Sequence, residues 1–131
     1  LRGNLQAADL EAAWNEKTKQ LLGLEVKNVK EGVLQDIHWA YGEFGYFPTY
    51  ALGNLVSVQF WEKIRQDIPD LDAQFARGEF NGLLGWLREH VHRHGAKFTP
   101  QELVRRVTGT SIDPQPYLRY LRSKFGALYG V

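Results

Sequence analysis

Apolar residues recur one helical turn apart through most of this 131-residue chain, and this periodicity constrains its fold more than any other feature. The first such stretch covers residues 10–21, with Asp9 placed to cap its start and Gly23 placed to end it. No segment alternates apolar and polar residues as a half-buried strand does. The sequence therefore predicts an all-α fold, with one compact multi-helix domain over residues 1–131.

Glycine and proline divide the rest of the chain into further predicted helices. These cover residues 49–68, 71–77, 81–94, 99–109 and a last stretch that begins at Asp113-Pro114. The helix at 49–68 has apolar residues on more than one stripe, which predicts burial on several sides. The segment Thr99-Pro100-Gln101-Glu102 has the pattern of a capping box. In the helix at 81–94 the positions predicted to face inward are Phe80, Leu83, Leu84, Leu87 and Val91.

The charge pattern and the absence of cysteine exclude several classes of function. The formal net charge is +1, so no global field recruits nucleic acid or anionic lipid. Basic clusters at 88–97, 105–106 and 119–124 are interpreted as solvated helix faces. There is no cysteine, no apolar run of membrane-spanning length and no signal-peptide pattern, which predicts a cytoplasmic protein. Because the chain begins at Leu1 without a methionine, we expect it to be part of something longer.

The irregular stretch 24–48 is the predicted functional region, with a short helical turn expected at 34–39. Its glycine-punctuated sequence Gly32-Val33-Leu34-Gln35-Asp36-Ile37-His38-Trp39 leads into Gly45-Tyr46-Phe47-Pro48-Thr49-Tyr50. A loop of this kind presents polar side chains to a ligand better than it builds a core.

Two side chains of this region are candidates for stabilising the negative charge that develops in a transition state. A histidine and a tyrosine that converge on one point, here His38 and Tyr50, both donate hydrogen bonds to an oxyanion. The alternative for His38 is a core histidine bonded to a backbone carbonyl. Asp36 either caps the turn, which is the usual role of such an aspartate, or fixes the tautomer of a histidine. Tyr46 either contributes to the site or packs the loop with Phe47.

A second cluster, Glu89-His90-Val91-His92-Arg93-His94, places His90 and His94 four residues apart, which on a helix is a metal-ligand spacing. The chain has no H-E-x-x-H motif and no evident third ligand. Histidines in the last turn of a helix also interact favourably with its dipole when charged. We therefore predict no metal site in this chain and assign no role to His90, His92 or His94.

The segment 32–39 fits the pattern G-x-x-Q-D-x-H-W, and it resembles a signature motif of the thermostable metallocarboxypeptidases of the carboxypeptidase Taq type. The resemblance extends through most of the chain. It includes Trp14-Asn15-Glu16-Lys17, residues 32–54, Asp70-Leu71-Asp72, Gly85-Trp86-Leu87-Arg88, His92-Arg93-His94-Gly95 and Tyr117-Leu118-Arg119-Tyr120-Leu121.

The resemblance implies a C-terminal part of a saddle-shaped, neurolysin-like, all-α peptidase. Such enzymes are zinc- or cobalt-dependent homodimers that remove C-terminal residues from peptides. By motif position His38 and Tyr50 would be the catalytic residues, and Tyr46, Gln35 and Asp36 would bind substrate. The metal-binding segment would lie upstream, so we expect no metal in this chain and no activity from it alone.

Two other interpretations stay open. The first is a non-catalytic helical binding module derived from the same family. The second is a metal-binding regulator that uses His90 and His94. Retention of His38, Tyr46 and Tyr50 favours the peptidase segment over both, because a scaffold has no need of these three side chains.

Overall fold

The fold is known from a computed structural model, which describes residues 3–130. Within this range the protein is helical and has no strand, which confirms the predicted all-α class. Its α-helices are α1 (Leu10–Leu22), α2 (Thr49–Asp67), α3 (Leu71–Ala76), α4 (Asn81–His90), α5 (Pro100–Thr108) and α6 (Gln115–Tyr129). Contacts along the chain define two compact units, Leu1–Pro48 and Thr49–Val131. One domain over residues 1–131 stays a prediction.

The first unit consists of α1 and a loop built from short 3-10 helices. One 3-10 helix, Ala7–Asp9, leads into α1, and two more, Val33–Gln35 and Ile37–Tyr41, form the predicted turn in the loop. Gly23 ends α1 as predicted, with a left-handed φ of 69° and its N–H donated to the carbonyl of Lys19. Asp9 occupies the cap position, but its side chain makes no capping hydrogen bond.

The second unit is built around α2, which packs against α5 and α6, while α3 packs against α4. Its core is a cluster of four buried side chains from four elements: Ile64, Leu71, Trp86 and Val107. Partly buried apolar side chains surround this cluster. The burial of apolar area in this cluster is the main force that holds these helices together.

Helix α2 is less enclosed than its sequence suggests. Only Gln59 and Ile64 are buried on it, and Leu52 remains 46 % exposed. The prediction of burial on several sides is therefore wrong for this chain. The reason is that the extensive packing of α2 within its unit is with α5 and α6, and part of its apolar circumference faces outward.

The end of α4 also differs from expectation. The helix stops at His90 instead of His94, because Val91 adopts φ −124° and ψ −64°, outside the α-helical region. A separate 3-10 helix, His92–His94, follows, and Gly95 ends it. Two of the side chains predicted to face inward, Phe80 and Leu84, are exposed.

The start of α5 follows its sequence signal closely. The Thr99 hydroxyl accepts a hydrogen bond from the backbone N–H of Glu102, and the Glu102 carboxylate accepts from the N–H of Thr99. Pro100 stands at the first helical position, where its missing N–H has no partner to lose. The predicted capping box is confirmed.

A buried side chain of α2 fixes the segment that leads into α6. Gln59 is 4 % exposed, and its amide nitrogen donates to the carbonyl of Ser111 at 2.9 Å. Its amide oxygen accepts from the backbone N–H of Asp113 at 3.0 Å. Because a buried amide without partners is costly, this pairing makes the course of residues 110–113 specific.

Within residues 3–130, no helix combines the length and the apolar character that crossing a membrane requires.

Candidate functional site

The histidine loop, residues 32–48, is held against α1 at its first residue. Gly32 is buried, and a Cβ atom there would lie 2.8 Å from Val26 Cγ1 and 2.9 Å from Asn15 Oδ1. Side chains do not pack that closely, so this position needs glycine for the approach of the loop to α1. Close packing therefore explains why the first residue of the G-x-x-Q-D-x-H-W pattern is glycine.

Aromatic contacts hold the other end of the same pattern. Trp39 meets Trp14 of α1 edge-on, with ring centroids 6.1 Å apart, and stacks with Phe44 at the same distance. Aromatic pairs at these separations stabilise beyond their buried area. The loop is therefore anchored by Gly32 and by Trp39, on either side of the polar residues between them.

Asp36 and His38 form the polar centre of the histidine loop. Asp36 lies between the two 3-10 helices, and its Oδ1 accepts a hydrogen bond from the backbone N–H of His38 at 3.3 Å. The same oxygen lies 2.7 Å from Nδ1 of the His38 ring. The two side chains are 6 % and 13 % exposed. Both roles considered for Asp36, capping the turn and contacting a histidine ring, are therefore present in the geometry.

Two aromatic rings pack on the His38 imidazole. The Tyr46 ring lies 5.0 Å from it, centroid to centroid, and the Phe47 ring meets it edge-on at 5.4 Å. The structure thus brings Tyr46 to the histidine, and a substrate-binding role for Tyr46 stays a prediction. The sequence predicts only a packing role in the loop for Phe47. The sequence offered a single indication that Phe47 contacts His38, which is that Phe47 directly follows Tyr46.

Gln35 is turned toward its own loop. Its side-chain amide donates a hydrogen bond to the carbonyl of Lys30, and the residue is exposed. A substrate-binding role for Gln35 stays a prediction.

Tyr50 belongs to the second unit, where it is the second residue of α2 and is 60 % exposed. Its predicted place at the start of a long helix is confirmed. The first turn of a helix carries partial positive charge from its backbone N–H groups, which favours negative charge nearby. The structure therefore groups Asp36, His38 and Tyr46 in one unit and places Tyr50 in the other.

The histidines at 90–94 do not share a helix. His90 is the last residue of α4, where its ring packs against Trp86 at 4.6 Å. His94 lies in the following 3-10 helix, and its ring contacts Phe98 at 5.2 Å. The change of helix type at Val91 removes the i, i+4 geometry on which a metal-ligand pair would depend.

Metal-ligating side chains are not clustered in the described part of the chain. In the part of the chain from Gly3 to Gly130, no group of three or more histidine, cysteine, aspartate or glutamate side chains is arranged to hold a metal ion. The contact of Asp36 with His38 supplies two such groups, fewer than protein metal sites use. These residues do not form a metal centre by themselves.

Comparison with known proteins gives a consistent result. Residues 1–125 match the sequence profile of the carboxypeptidase Taq (M32) metallopeptidase family. The chain is 50% identical to thermostable carboxypeptidase 1 of Thermus thermophilus over 129 residues, which is 98% of this chain and 25% of that protein. It is 41% identical over 121 residues to thermostable carboxypeptidase 1 of Pyrococcus furiosus, covering 92% of this chain and 24% of that protein.

A solved structure agrees with these sequence matches. The M32 carboxypeptidase from Deinococcus radiodurans R1 superimposes with a TM-score of 0.87 at 47% identity, covering 98% of this chain and 26% of that one. The chain therefore spans about a quarter of the length of the relatives that it matches.

Proposed function

Because this chain belongs to the carboxypeptidase Taq (M32) metallopeptidase family, we propose that it is a segment of a metal-dependent carboxypeptidase that removes C-terminal residues from peptides. The family match over residues 1–125 is the observation that carries this proposal. It is supported by the names of the relatives, which are carboxypeptidases. Since the chain spans a quarter of their length, the activity belongs to the longer protein.

The histidine loop would supply side chains that bind the substrate and stabilise the negative charge of the transition state. Hydrolysis of a peptide bond places negative charge on the carbonyl oxygen, and donors aimed at that oxygen stabilise the transition state more than the substrate. We assign this role to His38 and Tyr50. Tyr46, which packs on the His38 ring, and Gln35 would contact the peptide, while the enclosed Asp36 would serve peptide binding through His38.

The metal would be held by residues of the longer protein. We propose that this segment contributes the wall of the site that faces the substrate. We propose that this chain is inactive by itself. Zinc or cobalt as the metal, a homodimer and a cytoplasmic location are proposals of the same kind.

Replacement of Tyr50 by phenylalanine in the full-length enzyme tests the assignment. The change removes one hydroxyl and keeps the ring, so the packing is retained. If the hydroxyl acts only as charge develops, kcat falls by about 10²-fold and KM changes little. The measurement is steady-state kinetics with a blocked dipeptide.

The matched control is His92→Ala, because His92 is an exposed residue of the 3-10 helix after α4. It should retain the kcat of the wild-type enzyme. His38→Ala should lower kcat and also raise KM, since a histidine can bind the peptide before reaction. An unchanged kcat in Tyr50→Phe would remove Tyr50 from the catalytic role and leave Tyr46 as the candidate.

A further inference from the structure

We propose that Asp36 is a positioning residue that keeps a proton on Nδ1 of His38, so that His38 meets the substrate through Nε2. This inference rests on the proposed function of the histidine loop. It deepens that function, because it states which nitrogen of the ring acts and what it can do. The observation that carries it is the 2.7 Å contact between Asp36 Oδ1 and His38 Nδ1 in a nearly enclosed place.

The position of the proton follows from the chemistry of the two groups. A carboxylate oxygen is an acceptor only, so the hydrogen in a contact with it lies on the ring nitrogen. The same Oδ1 also accepts from the backbone N–H of His38, which is always a donor. Asp36 therefore acts as a double acceptor toward one residue, and Nδ1 is the protonated nitrogen.

The surroundings hold the ring in this orientation. Asp36 is fixed by its place between two 3-10 helices, and the Tyr46 and Phe47 rings pack on the imidazole. A rotation about the Cβ–Cγ bond that moved Nδ1 away from Asp36 would break the side-chain contact. An orienting group of this kind fixes the tautomer of a histidine.

A fixed proton on Nδ1 limits what His38 offers at Nε2. The neutral ring has only a lone pair at Nε2, so it accepts a hydrogen bond, for example from a peptide N–H. It donates to an oxyanion only when it is doubly protonated. The Tyr50 hydroxyl, which is also assigned to the oxyanion, donates a hydrogen bond in its neutral form. The oxyanion role assigned to His38 therefore requires a second proton, on Nε2, while that of Tyr50 does not.

The tautomer can be read from this chain directly. The ¹⁵N chemical shifts of an imidazole distinguish Nδ1–H from Nε2–H in the neutral ring. We expect the Nδ1–H form at His38, identified by its loss in His38→Gln. The exposed His92 is the internal reference, and we expect it to favour the Nε2–H form that is usual for a histidine side chain. A neutral His38 in the Nε2–H form would overturn the inference.

The kinetic test uses the full-length enzyme and a matched pair of substitutions. Asp36→Asn keeps the shape of the side chain and an oxygen for the turn, but it removes the charge. Asp113→Asn is the control, since Asp113 accepts from the N–H of Gln115, also two residues on, at 2.9 Å. We expect kcat/KM to fall by about 10–100-fold in Asp36→Asn, as for other groups that orient a functional histidine, and to stay unchanged in the control.

A double substitution decides whether Asp36 acts through His38. If it does, Asp36→Asn adds no further loss in a His38→Gln background. Independent, additive losses would overturn the positioning role. Wild-type activity in His38→Gln would instead reject the proposed function of the loop, while the spectrum would still decide the place of the proton.

Discussion

At the scale of single residues, Asp67 joins two helices of the second unit through one carboxylate. It accepts hydrogen bonds from Lys63, on its own helix α2, and from the indole N–H of Trp86 on α4 at 2.9 Å. These bonds, that from Lys63 first, hold the pKa of Asp67 below its usual value, although partial burial opposes the shift. The charge of His90 acts in the same direction.

The lowered pKa of Asp67 predicts a dependence of stability on pH. A carboxyl whose pKa is lower in the folded state stabilises the fold above its unfolded pKa, about 3.9, and this contribution is lost as the pH falls through the folded pKa. We expect Asp67→Asn to lower the free energy of unfolding at pH 7 by about 0.2–1 kcal/mol, the range of exposed ion pairs.

The measurement is urea unfolding of both proteins at pH 7 and pH 3. The difference between them should shrink at the lower pH. Asp9→Asn is the control, because the Asp9 side chain makes no capping bond, and it should match the wild type within about 0.5 kcal/mol. A difference that is equal at both pH values would contradict the role of the Asp67 charge.

Trp86 shows where sequence alone fails for single residues. The stripe of leucines predicted Leu83 and Leu87 on the buried side, and both pack against the core. Trp86 lies beside this stripe, and its burial depends on an acceptor from another helix, Asp67. That acceptor has no local signature. Asp36 and His38, by contrast, are two residues apart. Both contacts of the Asp36 carboxylate, with the backbone N–H and with the ring of His38, could therefore be predicted from the sequence.

At the scale of elements, local signals predicted the ends of helices well where they were carried by a cap or a glycine. The capping box at Thr99 and the glycine ends at Gly23 and Gly109 are all present. The end of α4 at His90 could not be predicted, because residues 91–94 contain neither glycine nor proline. The helical pattern continues there in the sequence, while the backbone changes to a 3-10 turn.

This change of helix predicts how the histidines respond to zinc. Val91 breaks the helix between His90 and His94, so we expect a Zn²⁺ ion to find no chelating pair and to bind no tighter than to single imidazoles. We expect no zinc to remain after dialysis. In an NMR titration with Zn²⁺, His90→Ala and His94→Ala should have the affinity of the wild type. Stoichiometric zinc that either substitution removes would contradict this expectation.

At the scale of the whole molecule, the first unit carries an apolar groove along α1. Its walls are Leu5, Leu10, Ala13, Trp14, Lys17, Thr18, Leu21 and Leu22. Leu21 and Leu22 are 74 % and 67 % exposed. Contiguous exposed apolar surface of this kind is where proteins associate.

We therefore expect this chain to form dimers or larger species at high concentration. Replacement of Leu21 and Leu22 by glutamate should shift the population toward the monomer, because charge in the groove opposes burial. Sedimentation velocity over a range of concentrations measures this shift. The control is Lys27→Glu, which changes the charge of an exposed residue outside the groove. A wild-type chain that stays monomeric throughout would contradict the prediction.

The hydrogen bonds of Gln59 have a consequence for the order of folding. They join α2 to residues that lie 52 and 54 positions later in the chain. Such contacts require a long loop to close, and they form more slowly than contacts within a helix. The segment before α6 can therefore reach its native course only after α2 exists. We therefore expect α6 to dock late, onto a helix that has already formed.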